Sequence, residues 1–173
     1  LQGRRVGLIT NQTGLSRDGV STVRLLHSAK GVQLKALFSP EHGLEGRLDI
    51  PKIGDQQDTT TGLKVFSLYG ETRTPTRESL QDLDTLVFDI QDIGCRFYTY
   101  LSTMGNAMQA AADHGLGFFL LRDDDAIEAM VLGGDPGIAT HEVDIAGPLH
   151  QELGHDGVVV VLLRKMAIGA ALG

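Results

Sequence analysis

Residues 85–121 read TLVFDIQDIGCRFYTYLSTMGNAMQAAADHGLGFFLL, and this stretch decides the fold. TLVFDI at 85–90 is an apolar run of strand length. Residues 100–114 are rich in Met and Ala and predict a helix, with Gly115 as its C-cap. LGFFLL at 116–121 is a second apolar run. A strand, a helix and a strand in this order form a βαβ unit, which calls for a parallel sheet.

The alternation extends upstream. VGLIT at 6–10 reads as a buried strand. Residues 20–30 place Val20, Val23, Leu25 and Leu26 at helical spacing. VQLKALF at 32–38 and LKVFSL at 63–68 predict two more strands, and 76–83 a short helix with Thr76 as N-cap. The expected class is α/β with a doubly wound, mostly parallel sheet, whose core spans residues 1–122. The remainder, 123–173, reads differently. It opens on an acidic run at 123–125 and continues through an aperiodic stretch rich in Gly, Asp and His. VVVVLL at 158–163 suits a strand or a buried helix, and 164–172 predict a helix. This part is expected to be a divergent end of the same domain or the start of a truncated second one.

Composition removes several functions. A chain of 173 residues has the size of one domain and needs no covalent or metal staple. Its formal charge of −7 argues against non-specific nucleic-acid binding. No apolar run approaches the roughly 20 residues of a membrane span. Cys95 is the single cysteine, which excludes an internal disulfide and any CxxC site. His150 and His155 stand five apart with Gly154 between, so they do not make a zinc helix, and no phosphate-binding glycine fingerprint is present. No cofactor and no metal are expected. The chain opens on Leu1 without a signal-peptide pattern, so a mature protein or an excised fragment is expected.

Ligands of open parallel sheets bind outside the carboxyl ends of the strands. Three polar segments follow predicted strands: TNQTG (10–14), SPEHG (39–43) and DIQDIG (89–94), the last leading to Arg96, Tyr98 and Tyr100. They are expected to converge on one edge. Glu41 is the sharpest candidate, framed by Pro40 and His42-Gly43. Its carboxyl could serve as a general acid with a pKa raised by partial burial, or it could close a turn or pair with Arg47. His42 could tune Glu41, bind substrate, shuttle a proton or be an ordinary loop histidine. Asp89 and Asp92 could orient a hydroxyl, act as a base or hold Mg²⁺, and Asp89 could instead anchor the neighbouring loops through backbone N–H bonds. Arg96 could bind a substrate carboxylate or neutralise these aspartates. The chain has no Trp, so sugar stacking would fall to Tyr69, Tyr98 and Tyr100, which lie in or beside these loops; Tyr69 could also merely close its strand.

Four segments carry a resemblance: VGLITNQTG (6–14), LFSPEHGLEG (37–46), VFSLYGETRTPTRESL (65–80) and LVFDIQDIGCRFYTYLSTM (86–104). Together they closely resemble the DUF1343 family, whose characterised members are NamZ-type exo-β-N-acetylmuramidases. The resemblance covers the chain through residue 121. Beyond it, RDDD at 122–125 replaces a proline-containing stretch of the family, and only scraps such as AGPL at 146–149 match.

The resemblance implies a Rossmann-like N-terminal domain, a smaller second domain and an active site in the cleft between them. It implies an exported glycoside hydrolase of cell-wall recycling, which releases N-acetylmuramic acid (MurNAc) from the non-reducing end of β-1,4-linked MurNAc–GlcNAc fragments. On matched motif positions, Glu41 carries over as catalytic. His42, Asn11, Gln91, Asp92, Arg96, Tyr98 and Tyr100 carry over as cleft residues. His42 and Asp92 are placed with Glu41 in the catalytic group, Asp92 as the second group that glycosidases usually need unless the substrate's acetamido group replaces it. Arg96 is the expected partner of the MurNAc lactyl carboxylate. Two rival expectations are a non-catalytic muropeptide-binding domain and a metal-dependent phosphoesterase built on Asp89 and Asp92.

Overall fold

β1 (Arg5–Thr10) is the strand on which the rest of the sheet is laid out. In the computed structural model it pairs in parallel with β2 (Gln33–Ser39) on one side and β5 (Thr85–Asp89) on the other. The structure describes residues 1–16, 18–46, 54–92, 99–122, 141–142 and 160–164, with Arg122 and the last two segments as backbone. The predicted helix at 164–172 lies almost wholly outside the described residues.

The further strands are β3 (Gln56–Gln57), β4 (Lys64–Ser67), β6 (Gly117–Arg122), β7 (His141–Glu142) and β8 (Val160–Arg164). The sheet runs β3-β4-β2-β1-β5-β6-β8-β7. Every pairing is parallel except β3 with β4. Without the two-residue strands, the order is the 3-2-1-4-5-6 of a Rossmann-like sheet, whose direction of winding reverses between β1 and β5. The α/β expectation holds. The run at 158–163, open between strand and helix, contributes β8 beside β6.

The strands read as apolar runs because both faces of the sheet are covered. All of β5 is buried, as are five of the six residues of β1. One face packs Val6, Leu8, Leu37 and Val87 against Leu26 of α1 (Thr22–Ser28). The other packs Ile9, Phe38, Leu86, Phe88 and Phe118 against Leu80 of α2 (Arg77–Leu80) and Tyr100, Ala107 and Ala111 of α3 (Tyr100–Asp113). Phe38 stacks on Phe66 with ring centroids 5.4 Å apart.

Helix ends follow local chemistry. Ser21 caps α1 by accepting from the Arg24 amide, and Thr76 caps α2 by accepting from Ser79. Both helices are shorter than the predicted 20–30 and 76–83. Ser21 is extended and starts α1 after Val20, while extended Ala29 and left-handed Gly31 end it. α3 closes in a Schellman motif: Leu116 N–H reaches the Ala111 carbonyl, Gly115 N–H reaches Ala112, and Gly115 has φ 67°.

At the reversal point the carboxyl ends are level, with Thr10 opposite Asp89 and Ile9 opposite Phe38. Asp89 is 1% exposed. Its carbonyl accepts from the Thr10 hydroxyl at 2.8 Å, and its carboxylate accepts from the Thr22 hydroxyl. The loop after β1 passes this anchor at Gly14. A Cβ there would lie 3.0 Å from the Asp89 carbonyl oxygen and would collide with the Thr10 hydroxyl. The anchoring predicted for Asp89 thus includes a side-chain hydroxyl, that of Thr22.

Two stability outcomes follow, both readable by urea denaturation. Phe38→Ala should cost about 3–5 kcal/mol by opening a cavity at the centre of the sheet, whereas Leu101→Ala, at a 55% exposed side chain, should stay within about 0.5 kcal/mol. Thr22→Val keeps the shape but takes a donor from the buried Asp89 carboxylate, and should cost about 1–3 kcal/mol.

Candidate functional site

The three predicted loops meet at the carboxyl edge of β1, β2 and β5. Asn11 begins the first. Its Oδ1 accepts from the Thr13 amide at 2.9 Å and the Thr13 hydroxyl at 2.6 Å. The Thr13 oxygen in turn accepts from the Gln91 amide at 2.9 Å, which stitches the first loop to the one after β5. Asn11 is 5% exposed, and its Nδ2 has no hydrogen-bond partner among the described residues. Asn11 also lines a cavity of about 460 Å³ with Gln12, Leu15, Val23, Leu44 and Asp58. Glu41 and His42 are not among its described walls.

Glu41 sits on the turn that follows β2. Ser39 is buried, and its carbonyl is tied to the Leu68 amide at 2.8 Å. Pro40 through Gly43 then close a turn, with Gly43 N–H on the Pro40 carbonyl at 3.1 Å. Its third residue, His42, has φ 70°, the single positive φ among the described non-glycine residues. A left-handed side-chain-bearing residue costs on the order of 1 kcal/mol, and such strain clusters at functional sites.

The Glu41 carboxylate is gripped from two elements. Thr99 donates its hydroxyl to Oε2 at 2.7 Å, and the Tyr69 hydroxyl donates as well. Thr99 occupies the N-cap position of α3 yet makes no side-chain cap bond. α3 therefore forgoes about 1 kcal/mol of capping at that residue. Tyr69 follows β4, and the Arg73 guanidinium lies over its ring at 5.6 Å. The Arg73 carbonyl accepts from Asn106 of α3 at 3.3 Å, fixing this loop to the helix.

Burial is the largest single influence on Glu41 and pushes its pKa up. The Thr99 and Tyr69 hydroxyls and the charges of His42 and Arg73 pull the other way, and the carboxyl titrates below its usual 4.5. The expectation of a raised pKa is thereby corrected. Partial burial does act as foreseen, but the Thr99 and Tyr69 hydroxyls and the charges of His42 and Arg73 together outweigh it.

Other predicted residues fall as follows. Gln91 and Asp92 are half-buried beside the stitched loops. Tyr100 is 5% exposed and packs in the core beneath α3. Arg96, Tyr98, Cys95 and Arg47 lie outside the described residues, as do His150 and His155. No group of three or more metal-ligating side chains occurs among the described residues. Sequence reasoning missed Thr99 and Arg73 and left Tyr69 undecided. The only local signals were a threonine ahead of a helix and an arginine in a conspicuous polar loop.

The family described as "Exo-beta-N-acetylmuramidase NamZ, N-terminal" matches residues 6–142. The peptidoglycan beta-N-acetylmuramidase NamZ of Bacillus subtilis (strain 168) is 47% identical over 122 residues, which are 70% of this chain and 30% of that protein. Two crystal structures of DUF1343 family proteins from Bacteroides fragilis NCTC 9343 are also similar. One is 53% identical with a TM-score of 0.63, the other 32% identical with a TM-score of 0.55. Each match covers 69% of this chain and 30% of the other. The chain thus spans about 30% of the length of these relatives. With its Rossmann-like strand order and the SPEHG turn at its carboxyl edge, the chain belongs to the NamZ N-terminal family.

Proposed function

We propose that this chain carries the reactive carboxylate of an exo-acting glycoside hydrolase. Its substrate would be a β-1,4-linked MurNAc–GlcNAc fragment of peptidoglycan, and its product free MurNAc from the non-reducing end. The observation that carries the reading is Glu41 itself: a carboxylate on a strained turn at the carboxyl edge of the sheet, after the strand next to β1, held by two hydroxyls and flanked by a cation. The similarity to a peptidoglycan β-N-acetylmuramidase supports the substrate class. Asn11 supports a ligand-binding role for the first loop, because its buried Nδ2–H, without a partner among the described residues, suits an acceptor on a bound molecule.

In the free chain Glu41 is ionised at neutral pH. A glycosidic leaving oxygen needs a proton, so the acid role requires the bound state to raise this group. Substrate supplies that shift. Burial is already the strongest upward influence, and a sugar packed on the carboxyl removes more water from it. Asp92, on the loop stitched to Asn11 through Thr13, is the proposed second group, as base or nucleophile. Asp89 is unsuited to a metal-dependent phosphoesterase, since its buried carboxylate serves Thr22.

Mass-spectrometric detection of free MurNAc from MurNAc-β-1,4-GlcNAc tests the reaction. Release by this chain should disappear in Glu41→Gln. Release that survives the substitution removes Glu41 from the chemistry. Binding without release would assign this chain recognition and leave turnover to parts of the relatives' length that it lacks.

The pH dependence has a fixed sign. Glu41's folded pKa lies below the unfolded 4.5, so its contribution to stability is present above 4.5 and is lost as pH falls through the folded value. Acid unfolding of Glu41→Gln should therefore be less steep in that window. For catalysis, the basic limb of kcat should break at higher pH than that of kcat/KM, because the first reports bound and the second free Glu41. Coincident breaks would exclude substrate-raised acid catalysis.

A further inference from the structure

Ser21 and Thr76 show what a hydroxyl does at a helix start in this chain: the residue is extended, with ψ 140° and 159°, and its oxygen accepts an amide of the first turn. Thr99 departs from both. Its ψ is −2°, it makes no cap bond, and its hydroxyl instead donates to Glu41 Oε2 at 2.7 Å, 58 positions away in sequence. Its carbonyl is used normally, accepting from the Thr103 amide at 3.0 Å and the Thr103 hydroxyl at 3.2 Å. The backbone is therefore fixed by α3 while the side chain faces the turn after β2. A β-branched side chain has few rotamers, so this placement defines where the carboxylate oxygen rests.

We propose that Thr99 is a positioning residue for Glu41, fixing the direction of the carboxylate from the first turn of α3. The inference rests on the reading of Glu41 as the reactive group. Among the described residues, Tyr69 and Arg73 of the β4 loop and His42 of Glu41's own turn also act on this carboxylate. Thr99 differs from them in being rooted in the backbone of a 14-residue helix that packs on the core. Productive acid–base geometry tolerates little misplacement, so a loosened carboxylate lowers turnover more than affinity.

The test uses this chain with Thr99→Val, Thr99→Ser and Thr99→Ala. Valine keeps the shape and removes the donor, serine keeps the donor, and alanine removes it without branching. Glu41 is followed by ¹³C NMR of its side-chain carboxyl, assigned through its absence in Glu41→Gln. In the valine and alanine variants the titration should move up, and in the serine variant it should return toward the wild-type value. Turnover on MurNAc-β-1,4-GlcNAc should fall roughly tenfold with KM little changed, as expected for one lost hydrogen bond to a charged group. Because Thr99 makes no cap bond, thermal stability should change less than in Thr76→Val. Titration of Thr99→Val and Thr99→Ala as in the wild type, or failure of serine to restore it, overturns the proposal. If the titration shifts while the wild-type chain binds the disaccharide yet releases no MurNAc, the positioning stands and turnover is not carried by this chain alone.

Discussion

Buried Asp89 ties the start of α1 to the carboxyl end of the β1–β5 ladder. It ends β5, its carbonyl receives Thr10 of β1, and its side chain receives Thr22 at the start of α1. Gly14 exists as glycine because the chain passes against this cluster. The positions of Asn11, Thr13 and Gln91 follow from it, since all three lie within three residues of Thr10, Gly14 or Asp89. An apolar residue at 89 would keep the carbonyl that receives Thr10 but would take its partner from the Thr22 hydroxyl at the entry of α1. The switch point of the sheet is thus held by polar groups that are satisfied internally, and the open side of the loops remains for ligand.

The second constraint is the turn after β2. Left-handed backbone at His42 is unfavourable by itself, and it persists because β2 and β4 fix the entry at Ser39 and Gly43 closes the turn. The strain directs one carboxylate toward α3 and the β4 loop. There the balance between burial on one side and donors and cations on the other sets the direction of the Glu41 pKa. Its lowered pKa belongs to Thr99, Tyr69, His42 and Arg73 as much as to Glu41 itself.

Much of the fold is legible in the sequence because parallel strands covered on both faces leave unbroken apolar runs, as in RVGLIT and TLVFD. Helix limits are less legible. Val20 and Lys30 fit the periodicity of α1, yet Ser21 and Gly31 decide its length through backbone geometry. Gln56–Gln57 carries no strand signal, since its pairing with β4 comes from the sheet edge and not from its own side chains. At the site, SPEHG marks Glu41 because its turn chemistry is local. Thr99 and Arg73 stay hidden because their relevance depends on contacts across distant chain positions. The direction of the Glu41 pKa was illegible for the same reason: burial can be guessed from a motif, but the donors opposing it arrive from elsewhere.

Among the described residues the outermost strands of the sheet, β3 and β7, are two residues long. Such an edge offers few outward N–H and C=O groups to another strand, and β3 is antiparallel with both glutamines exposed. A wide, apolar, parallel sheet is a template for edge-to-edge growth wherever a long flat strand lies at its border. At β3 the border tapers before such a template forms. At the β3 border a second copy of the sheet would find only a two-residue ladder to extend.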